Sequence, residues 1–445
     1  MMPILPDDKA SLCDSAPSTV VAKLVELWHR GSAWVFGPLI IGLVAVALAT
    51  AGNYINKFND RLFHTIFFVP VLVLPLGFMA LAYLSRRYFP GTQGSGIPQT
   101  IAGINETGEI KTHHLLSVRI LIGKILLTLG GLAVGASIGR EGPTVQIGAS
   151  IMHMFYGRGP FQGVEQRRIL LMAGGAAGIA AAFNTPLAGI MFAIEELSKN
   201  HVFNANSSSL VTVIVSGLIS IALLGNYTYF GSSGATLEWD SGMTTVLLCG
   251  IVGGLAGGLF SRILIYVSLS TTSRVTDFFN RHPFIFAALC GLGVALLGLA
   301  TNHLVFGTGY QPTQALLEDS KVIPWYFGIA KMLATLLSSM SGISGGVFAP
   351  SLAAGAGIGD NLAALLPASY SSHSAIVLLT MAAYLAGVTR APVTAFIIMM
   401  EMTNSHHMLL PLMGATVVAT AMSKLISPEP LYHALSQKFV HVDKQ

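Results

Sequence analysis

The stretch GASIGREGPTVQIGAS, residues 135–150, places a charged pair, Arg140 and Glu141, inside a long run of small and apolar residues. Gly142 and Pro143 follow directly and interrupt the run. A carboxylate near the centre of a bilayer costs about 2.5–3.5 kcal/mol on insertion scales. The stretch therefore predicts a helix that begins inside the membrane and a carboxylate that is either paired or functional.

The composition of the chain places this stretch in a membrane protein. Of the 445 residues, 53% are hydrophobic and only 10% are charged, whereas a soluble domain usually carries roughly 25% charged residues. Several apolar runs approach the roughly 20 residues that a helix needs to cross a bilayer; they span residues 34–52, 66–84, 209–225, 243–260 and 284–300. The sequence therefore predicts an all-α polytopic membrane protein.

The chain lacks the residue patterns of several function classes. Its three cysteines, Cys13, Cys249 and Cys290, lie far apart and form no CxxC or Cys/His cluster, which argues against a metal site and a disulfide framework. A net charge of +4 is ordinary for a membrane protein, and we predict no nucleic-acid partner. No Ser/His/Asp arrangement or P-loop stands out, so we expect neither an enzyme nor a bound cofactor.

Two pairs of stretches match each other without gaps. KILLTLGGLAVGASIGREGPTVQIGA begins at Lys124 and KMLATLLSSMSGISGGVFAPSLAAGA begins at Lys331, and they share the lysine, several glycines and a proline in register. Residues 183–197 resemble residues 388–402, and the offset that pairs Pro186 with Pro392 also pairs Glu195 with Glu401. The sequence therefore predicts two structural repeats, an architecture common among transporters, with the substrate site near the membrane midplane.

The repeats divide the chain into four parts. Residues 1–30 form a cytoplasmic or interfacial segment, polar and acidic at its start rather than a signal peptide, and its end resembles an amphipathic interfacial helix. Residues 31–230 form the first transmembrane repeat and residues 231–435 the second. Residues 436–445 form a short C-terminal tail.

Glycine and proline clusters interrupt both repeats at corresponding places: GREGP and GGVFAP, then FNTPLAG and TRAPVTA. Proline is best tolerated in the first turn of a helix, so each cluster predicts a helix that starts within the membrane. Such a start leaves N–H groups without intrahelical partners and carries about half a positive elementary charge. Several such starts meeting at the midplane would bind an anion without a full positive charge, and weakly enough for it to leave again.

A third cluster, GTQGSGIPQT at residues 91–100, fits the same role. Ser95 lies between two glycines just before Pro98, and its hydroxyl and the amides that follow it, at Gly96 and Ile97, could donate to a small anion. Taken alone, GSGIP is only a turn before a helix. Combined with the other clusters, it favours an anion site.

Three of these motifs, GSGIP, GREGP and GGVFAP, in this order and with a tyrosine in PLYHAL near the C-terminus, resemble the signature motifs of the CLC chloride channel and transporter family. The resemblance covers about residues 35–435. It implies an inverted-repeat fold with many tilted and broken helices, and a homodimer with one independent pore in each subunit. It also implies that chloride is bound by the hydroxyls of Ser95 and Tyr432 and by backbone amides that include those of Val347 and Phe348.

The resemblance identifies Glu141 as the gating glutamate, whose carboxylate mimics the permeating anion. Burial disfavours its charge, whereas the anion site favours it. A structural ion pair with Arg140 is the alternative, but neighbouring residues point in different directions and pair poorly. We expect Arg140 to lie towards the aqueous vestibule and to attract anions.

Glu195 and Glu196 close an apolar helix, where both could simply be solvated helix ends. The resemblance instead matches Glu196 with the internal proton-transfer glutamate of CLC exchangers, a residue that channels of the family generally lack. Glu195 and its repeat partner Glu401 are expected to be structural and to satisfy buried donors. Lys124 resembles a buried lysine that an acidic residue usually balances; here Gln99, Thr100 and Ile101 follow GSGIP, so we expect Lys124 to be unpaired or neutral.

The leading hypothesis is a chloride/proton antiporter of a prokaryotic inner membrane, with chloride ions, protons and membrane lipid as its partners. A passive chloride channel on the same scaffold is the first alternative. Exchange of another small anion, nitrate or fluoride, is the second: nitrate-preferring members tend to carry proline where this chain has Ser95, and fluoride exporters depart from GREGP and the tyrosine. The short tail beyond Tyr432 is expected to hold no nucleotide-binding module.

Overall fold

The structure is a computed structural model that describes residues 16–106, 113–198, 207–225, 239–270, 280–320, 322–367 and 371–440, with single positions at 230, 231, 235, 237 and 278. Within these residues the chain forms seventeen α-helices and no named strand. The predicted all-α class is therefore confirmed. Residues 441–445, half of the predicted C-terminal tail, and residues 1–15, half of the predicted N-terminal segment, lie outside the described residues.

Eight helices of the first half correspond in order to eight of the second. The first set is α1 (Ala16–Thr65), α2 (Val69–Tyr88), α3 (Ile97–Asn105), α4 (Val118–Ala133), α5 (Glu141–His153), α6 (Val164–Phe183), α7 (Pro186–Phe192) and α8 (Ser207–Leu224). The second set is α9 (Trp239–Leu269), α10 (Pro283–Ala300), α11 (Tyr310–Leu317), α12 (Phe327–Met340), α13 (Phe348–Leu365), α14 (His373–Thr389), α15 (Pro392–Thr403) and α16 (Leu409–Ile426). The last helix, α17 (Leu431–Val440), follows both sets.

The predicted junction at residue 30 is not a break in the backbone. Helix α1 runs for 50 residues through this point, and its apolar part, Gly31–Phe63, is long enough to cross a membrane. No proline lies near residue 30 to end the helix; the single internal one is Pro38. The interfacial segment and the first span are therefore parts of one helix.

Five helical segments in the described part of the chain are long and apolar enough to span a bilayer: Gly31–Phe63, Val69–Tyr88, Gly242–Leu269, Pro283–Ala300 and His406–Ile426. The last of these is absent from the predicted apolar runs, although it is as apolar as Val69–Tyr88. Others are far too short: α3, with 9 residues, rises only about 14 Å at 1.5 Å per residue. The membrane domain thus combines spanning helices with helices that begin inside it.

The two halves are related by a local twofold axis. Gly139 and Gly346, which the ungapped match places at equivalent positions, donate backbone hydrogen bonds to each other, both 2.7 Å long, in an antiparallel bridge. Equivalent residues form such a reciprocal pair when a twofold axis passes between them. The predicted inverted repeat is therefore the architecture of the chain.

Small residues let the helices behind the site pack closely. A Cβ atom added to Gly148 of α5 would collide with the Gly174 carbonyl of α6, and one added to Gly174 would collide with the Gly148 carbonyl. In the second half, a Cβ atom on Gly355 of α13 would lie 2.8 Å from the Met381 Cα of α14. Close backbone contact of this kind is the usual way for membrane helices to associate. It holds the first turns of α5 and α13 rigidly in place.

Candidate functional site

Three helices begin at the motifs that the sequence singles out. Helix α3 starts at Ile97 after Gly96, whose φ of 98° is readily adopted only by glycine. Helix α5 starts at Glu141 and α13 at Phe348. The prediction that GSGIP, GREGP and GGVFAP each open a helix is therefore confirmed.

The starts of these helices converge on one place. A Cβ atom on Gly142 would collide with Ser95 Oγ and would lie 3.2 Å from the Cα of Gly346. The three motifs are thus in backbone contact, which only glycine permits at this point. Their partial positive charges add where the motifs meet, which would favour an anion at this place.

Two buried hydroxyls face this convergence. Ser95 is 8% exposed and Tyr432 1% exposed, and neither hydroxyl has a hydrogen-bond partner of normal geometry among the described residues, although they face each other. The ring of Tyr432 is held parallel to that of Phe348, with centroids 6.0 Å apart and an interplanar angle of 8°. Since an orphaned buried donor costs about 1–3 kcal/mol, the pair fits a ligand that accepts from both.

The backbone positions predicted for the same site lie around these hydroxyls. Ile97, Val347 and Phe348 are all buried, and Val347 is the N-cap residue of α13. Val347 lies in the same cavity wall as Ser95 and Tyr432, and Phe348 stacks on the Tyr432 ring, so these four residues lie close together.

Glu141 lies at the first turn of α5 and is fully buried. The backbone N–H groups of Ala349, Arg140 and Glu141 itself act on its carboxylate. Ala349 belongs to the first turn of α13, so the carboxylate faces the N-termini of two helices at once. That is the position which a permeating anion would need.

Arg140 extends away from the convergence to α1. Its Nη1 donates to Ala49 O at 2.7 Å and to Asn53 Oδ1 at 3.1 Å, and its positive charge also acts on Glu141. Arg140 is only 3% exposed, so it forms part of a cavity wall and does not project into solvent.

Two cavities flank the convergence. The Arg140 cavity has a volume of about 300 Å³ and its wall includes Asn53, Lys57, Arg140, Asn302 and Thr308. The Tyr432 cavity has a volume of about 390 Å³ and its wall includes Arg86, Ser95, Asn280, Tyr432 and Lys438.

The two cavities lie at opposite ends of an antiparallel helix pair, α2 and α10. Arg86 near the end of α2 and Asn280 just before α10 belong to the Tyr432 cavity, whereas Asn302, just after α10, belongs to the Arg140 cavity. Tyr83 and Phe284, near the end of α2 and the start of α10, have ring centroids 5.6 Å apart. An 18-residue helix such as α10 is about 27 Å long, so the two cavities lie well apart along this helix pair.

Glu196 lies on a π-helical segment, Ala193–Leu197, that continues α7. π-helical turns are rare and occur frequently at functional sites. Glu196 is 1% exposed and interacts electrostatically with the Tyr432 hydroxyl. The predicted proton-transfer residue therefore lies beside the predicted anion site, although it is not part of the described wall of the Tyr432 cavity.

Glu195 and Glu401 each accept hydrogen bonds from a helix start in the other repeat. Glu195 accepts from the amides of Val393 and Thr394 at 3.1 and 2.7 Å. Glu401 accepts from those of Leu187 and Ala188 at 3.3 and 2.8 Å. Each carboxylate therefore caps the first turn of α15 or α7, where an anion is favoured, and joins the two halves.

A sequence model described as "Voltage gated chloride channel" matches residues 76–424. The chain belongs to this family. Its curated relatives include the "H(+)/Cl(-) exchange transporter ClcA" of Citrobacter koseri, 30% identical over 424 residues that cover 89% of this chain and 85% of the relative. The protein of the same name from Klebsiella pneumoniae is 30% identical over 422 residues, covering 90% and 86%.

Solved structures of the family share the fold. A slow cyanobacterial Cl-/H+ antiporter superimposes with a TM-score of 0.79 at 25% identity, covering 93% of this chain and 98% of that structure. A CLC-type fluoride/proton antiporter superimposes with a TM-score of 0.75 at 22% identity, covering 94% and 98%; this likeness establishes the fold alone. The chain is thus a multi-pass membrane transporter and not an enzyme.

Lys124 has no carboxylate partner in the described part of the chain, as its sequence neighbours predict, but its Nζ is hydrogen-bonded. Its fully buried Nζ donates to the carbonyl oxygens of Thr92 and Gly94 at 2.9 and 2.7 Å. These carbonyls belong to the loop that carries Ser95, so the lysine holds that loop. No carboxylate in the described part of the chain pairs with it; backbone carbonyls take that place.

The ungapped repeat match misses a second loop of the same kind. Lys331 Nζ donates to the carbonyl oxygens of Val305 and Gly307, both at 2.8 Å. The loop continues as Gly307–Thr308–Gly309 and opens α11, as Gly94–Ser95–Gly96 opens α3. The connection from loop to lysine is longer in the first half, which hides the match unless a gap is allowed.

Proposed function

We propose that this protein exchanges chloride for protons across a cell inner membrane, with Glu141 as the gate. The observation that carries the proposal is the position of the Glu141 carboxylate. It lies at the helix N-termini, where an anion would bind, and it closes the route between the two cavities.

The anion route begins in the Tyr432 cavity. Chloride sheds water there and accepts hydrogen bonds from the hydroxyls of Ser95 and Tyr432, while the start of α13 stabilises its charge. It advances only when the Glu141 carboxylate leaves the helix N-termini. Protonation removes the negative charge that holds Glu141 in place, so binding of a proton to Glu141 and entry of chloride into the vacated position favour each other.

The proton route diverges from the anion route near Tyr432. Glu196 is close enough to interact with the Tyr432 hydroxyl, yet it lies on the α7 side of it. A proton that reaches Glu196 can continue to Glu141 through water near the Tyr432 hydroxyl, while chloride enters from the opposite side of the tyrosine ring. The proton route and the chloride route share only the central region, and the two fluxes are coupled there.

Chloride is the proposed substrate because the site offers two hydroxyls and backbone amides, and because the curated relatives are named as chloride exchangers. The present site has serine where a nitrate-preferring site would have proline. It also keeps GREGP and the tyrosine, from which fluoride exporters depart. Nitrate and fluoride are therefore the alternative substrates to test.

The experiment that tests the proposal is ion flux in proteoliposomes that contain the purified protein. A chloride gradient should drive protons uphill, read by a pH-sensitive dye, and the chloride efflux should be matched by an opposite proton flux. Chloride movement without proton movement at any imposed pH gradient would replace the exchanger by a passive channel. Flux driven by fluoride or nitrate but not by chloride would overturn the substrate assignment.

Removing only the Tyr432 hydroxyl tests the anion site. Tyr432→Phe should weaken chloride binding about tenfold or more, because a hydrogen bond to a charged group contributes about 1.5–3 kcal/mol. The measurement is isothermal titration calorimetry with chloride. Tyr384→Phe is the matched control, because the Tyr384 hydroxyl is also buried and lacks a described partner but lies outside the site. Equal affinities for the two variants would contradict the role of Tyr432.

We also propose a homodimer that forms through α7, α8, α15 and α16. Large apolar side chains are exposed along α8 and α16, among them Ile214, Leu218 and Val417. These helices adjoin the starts of α7 and α15, which Glu401 and Glu195 cap. A subunit interface on this side would leave each anion route within its own subunit.

Ile214→Trp combined with Val417→Trp should shift the purified protein from dimer to monomer in mild detergent, because bulky side chains prevent close packing of the two surfaces. Light scattering after size exclusion measures the mass. Leu72→Trp on α2 is the control, since Leu72 is 67% exposed and faces away from the proposed interface. A wild-type protein that runs only as a monomer would exclude this dimer.

A further inference from the structure

Glu196 is too deeply buried to take protons from solution directly. It is 1% exposed, and the described walls of both cavities are formed by other residues. If the proposed exchange operates, another titratable group or a chain of water has to bring the proton from the aqueous face to Glu196.

Helix α17 presents different residues to the two routes. The residues that it contributes to the wall of the Tyr432 cavity are Leu431, Tyr432, Leu435, Lys438 and Phe439. His433 is absent from this set and contacts the π-helical segment instead: its Nε2 lies 3.1 Å from the backbone oxygen of Glu196. Consecutive helical residues point in different directions, so Tyr432 and His433 lie on different sides of the helix.

His433 combines contact with Glu196 and a partly exposed side chain. Its side chain is half-buried, whereas Glu196 is closed off. The first turns of α17 hold it in place, with Ser436 Oγ donating to the His433 carbonyl oxygen at 2.8 Å. Imidazole is the side chain that gains and loses a proton most readily near neutral pH.

We propose that His433 is the proton-uptake residue that supplies Glu196; this inference rests on the proposed exchange function. The imidazolium N–H bond breaks and an O–H bond forms on the Glu196 carboxylate, directly or through one water molecule. The neutral ring then takes its next proton from solution. In the opposite direction of transport the same steps run in reverse.

The other charged groups around this end of α17 make contacts that differ from those of His433. Glu195 accepts two backbone hydrogen bonds from α15, and Arg86 and Lys438 belong to the Tyr432 cavity. On α9, Arg262 Nη1 donates to Ile426 O. Helix α3, which also packs against α17, carries no titratable side chain.

The remaining neighbour of α17 is α14. Its titratable side chains are His373 at its first residue and the fully buried Tyr384, and Arg390 follows its end near Glu429. Of the groups named around α17, His433 is the imidazole with a described contact to Glu196.

The test compares His433→Gln and His433→Ala in proteoliposomes by separate proton and chloride flux measurements. Glutamine keeps a hydrogen-bond donor for the Glu196 carbonyl but cannot titrate near neutral pH. Both variants should lose about a hundredfold of the coupled proton flux, the lower end of the range for loss of a proton-transfer group, while chloride flux stays within about twofold. Added imidazole should restore proton flux in His433→Ala.

His407→Gln is the matched control, because His407 Nε2 also contacts a backbone oxygen, that of Ala235, away from Glu196. Proton flux at the wild-type level in His433→Gln would overturn the inference and leave His433 a structural donor. Persistent chloride flux in the same vesicles shows that a variant is folded. Wild-type protein that moves chloride without protons would instead remove the exchange proposal itself, and the role of His433 with it.

Discussion

Glu141→Gln should leave chloride flux running but remove both its pH dependence and its coupling to protons. Glutamine has the shape of the protonated side chain and carries no charge, so nothing holds it at the first turns of α5 and α13. In the wild-type protein, lower pH favours the protonated, open gate; in the variant the gate is open at every pH. The loss of pH dependence is measured as chloride efflux between about pH 4 and pH 8, a range that brackets ordinary glutamate titration.

The competing explanation of Glu141 is a structural pair with Arg140. In that case Glu141→Gln would leave a buried arginine uncompensated and cost about 3–5 kcal/mol of stability, with poor expression and no selective loss of coupling. Glu318→Gln is the control, since Glu318 is exposed. Chloride flux in Glu141→Gln that still varies with pH as in the wild type would contradict the gate assignment.

Glu196→Gln should abolish uphill proton transport while chloride flux continues. The substitution removes the inner proton carrier and leaves Ser95, Tyr432 and Glu141 unchanged, so the dependence of chloride flux on pH should remain. This remaining dependence distinguishes Glu196→Gln from Glu141→Gln. Parallel proton and chloride measurements on one vesicle preparation give the result.

The neighbouring residue provides a matched control. Glu195→Gln should lower stability by about 1–3 kcal/mol, because one of the two amide hydrogen bonds at the start of α15 loses its acceptor. It should not uncouple the fluxes selectively. If Glu196→Gln pumps protons as well as the wild-type protein does, the proton route lies elsewhere; if neither protein pumps protons, the passive channel is the better description.

Much of the fold follows from local sequence features. The low fraction of charged residues predicts a membrane domain, and proline next to glycine predicts helices that start inside it, as α3, α5 and α13 do. The lysines, prolines and glutamates kept in register predict the repeat. These features succeed because each one depends on the backbone chemistry of a few neighbouring residues.

The individual site residues are also visible in the sequence. Glu141 stands out because placing a carboxylate in lipid costs free energy, and Ser95 stands out because it lies between two glycines. Tyr432 has no such signal and is identified through the family resemblance. His433 was missed because a histidine after a tyrosine resembles any polar helix residue; its position beside Glu196 appears only when α17 packs near α7.

The sequence by itself determined that this protein is a two-repeat membrane protein in which some helices begin at glycine and proline clusters, since hydropathy, helix breaking and register are local properties of the chain. The hydrogen-bond partners of the buried charged residues are visible only in the tertiary structure. Glu195 and Glu401 cap helices of the opposite repeat, and Lys124 holds two carbonyls of the Ser95 loop. Residues far apart in the chain meet because the two halves pack against each other about a twofold axis. A single sequence does not show which residues of the two halves lie close together in space.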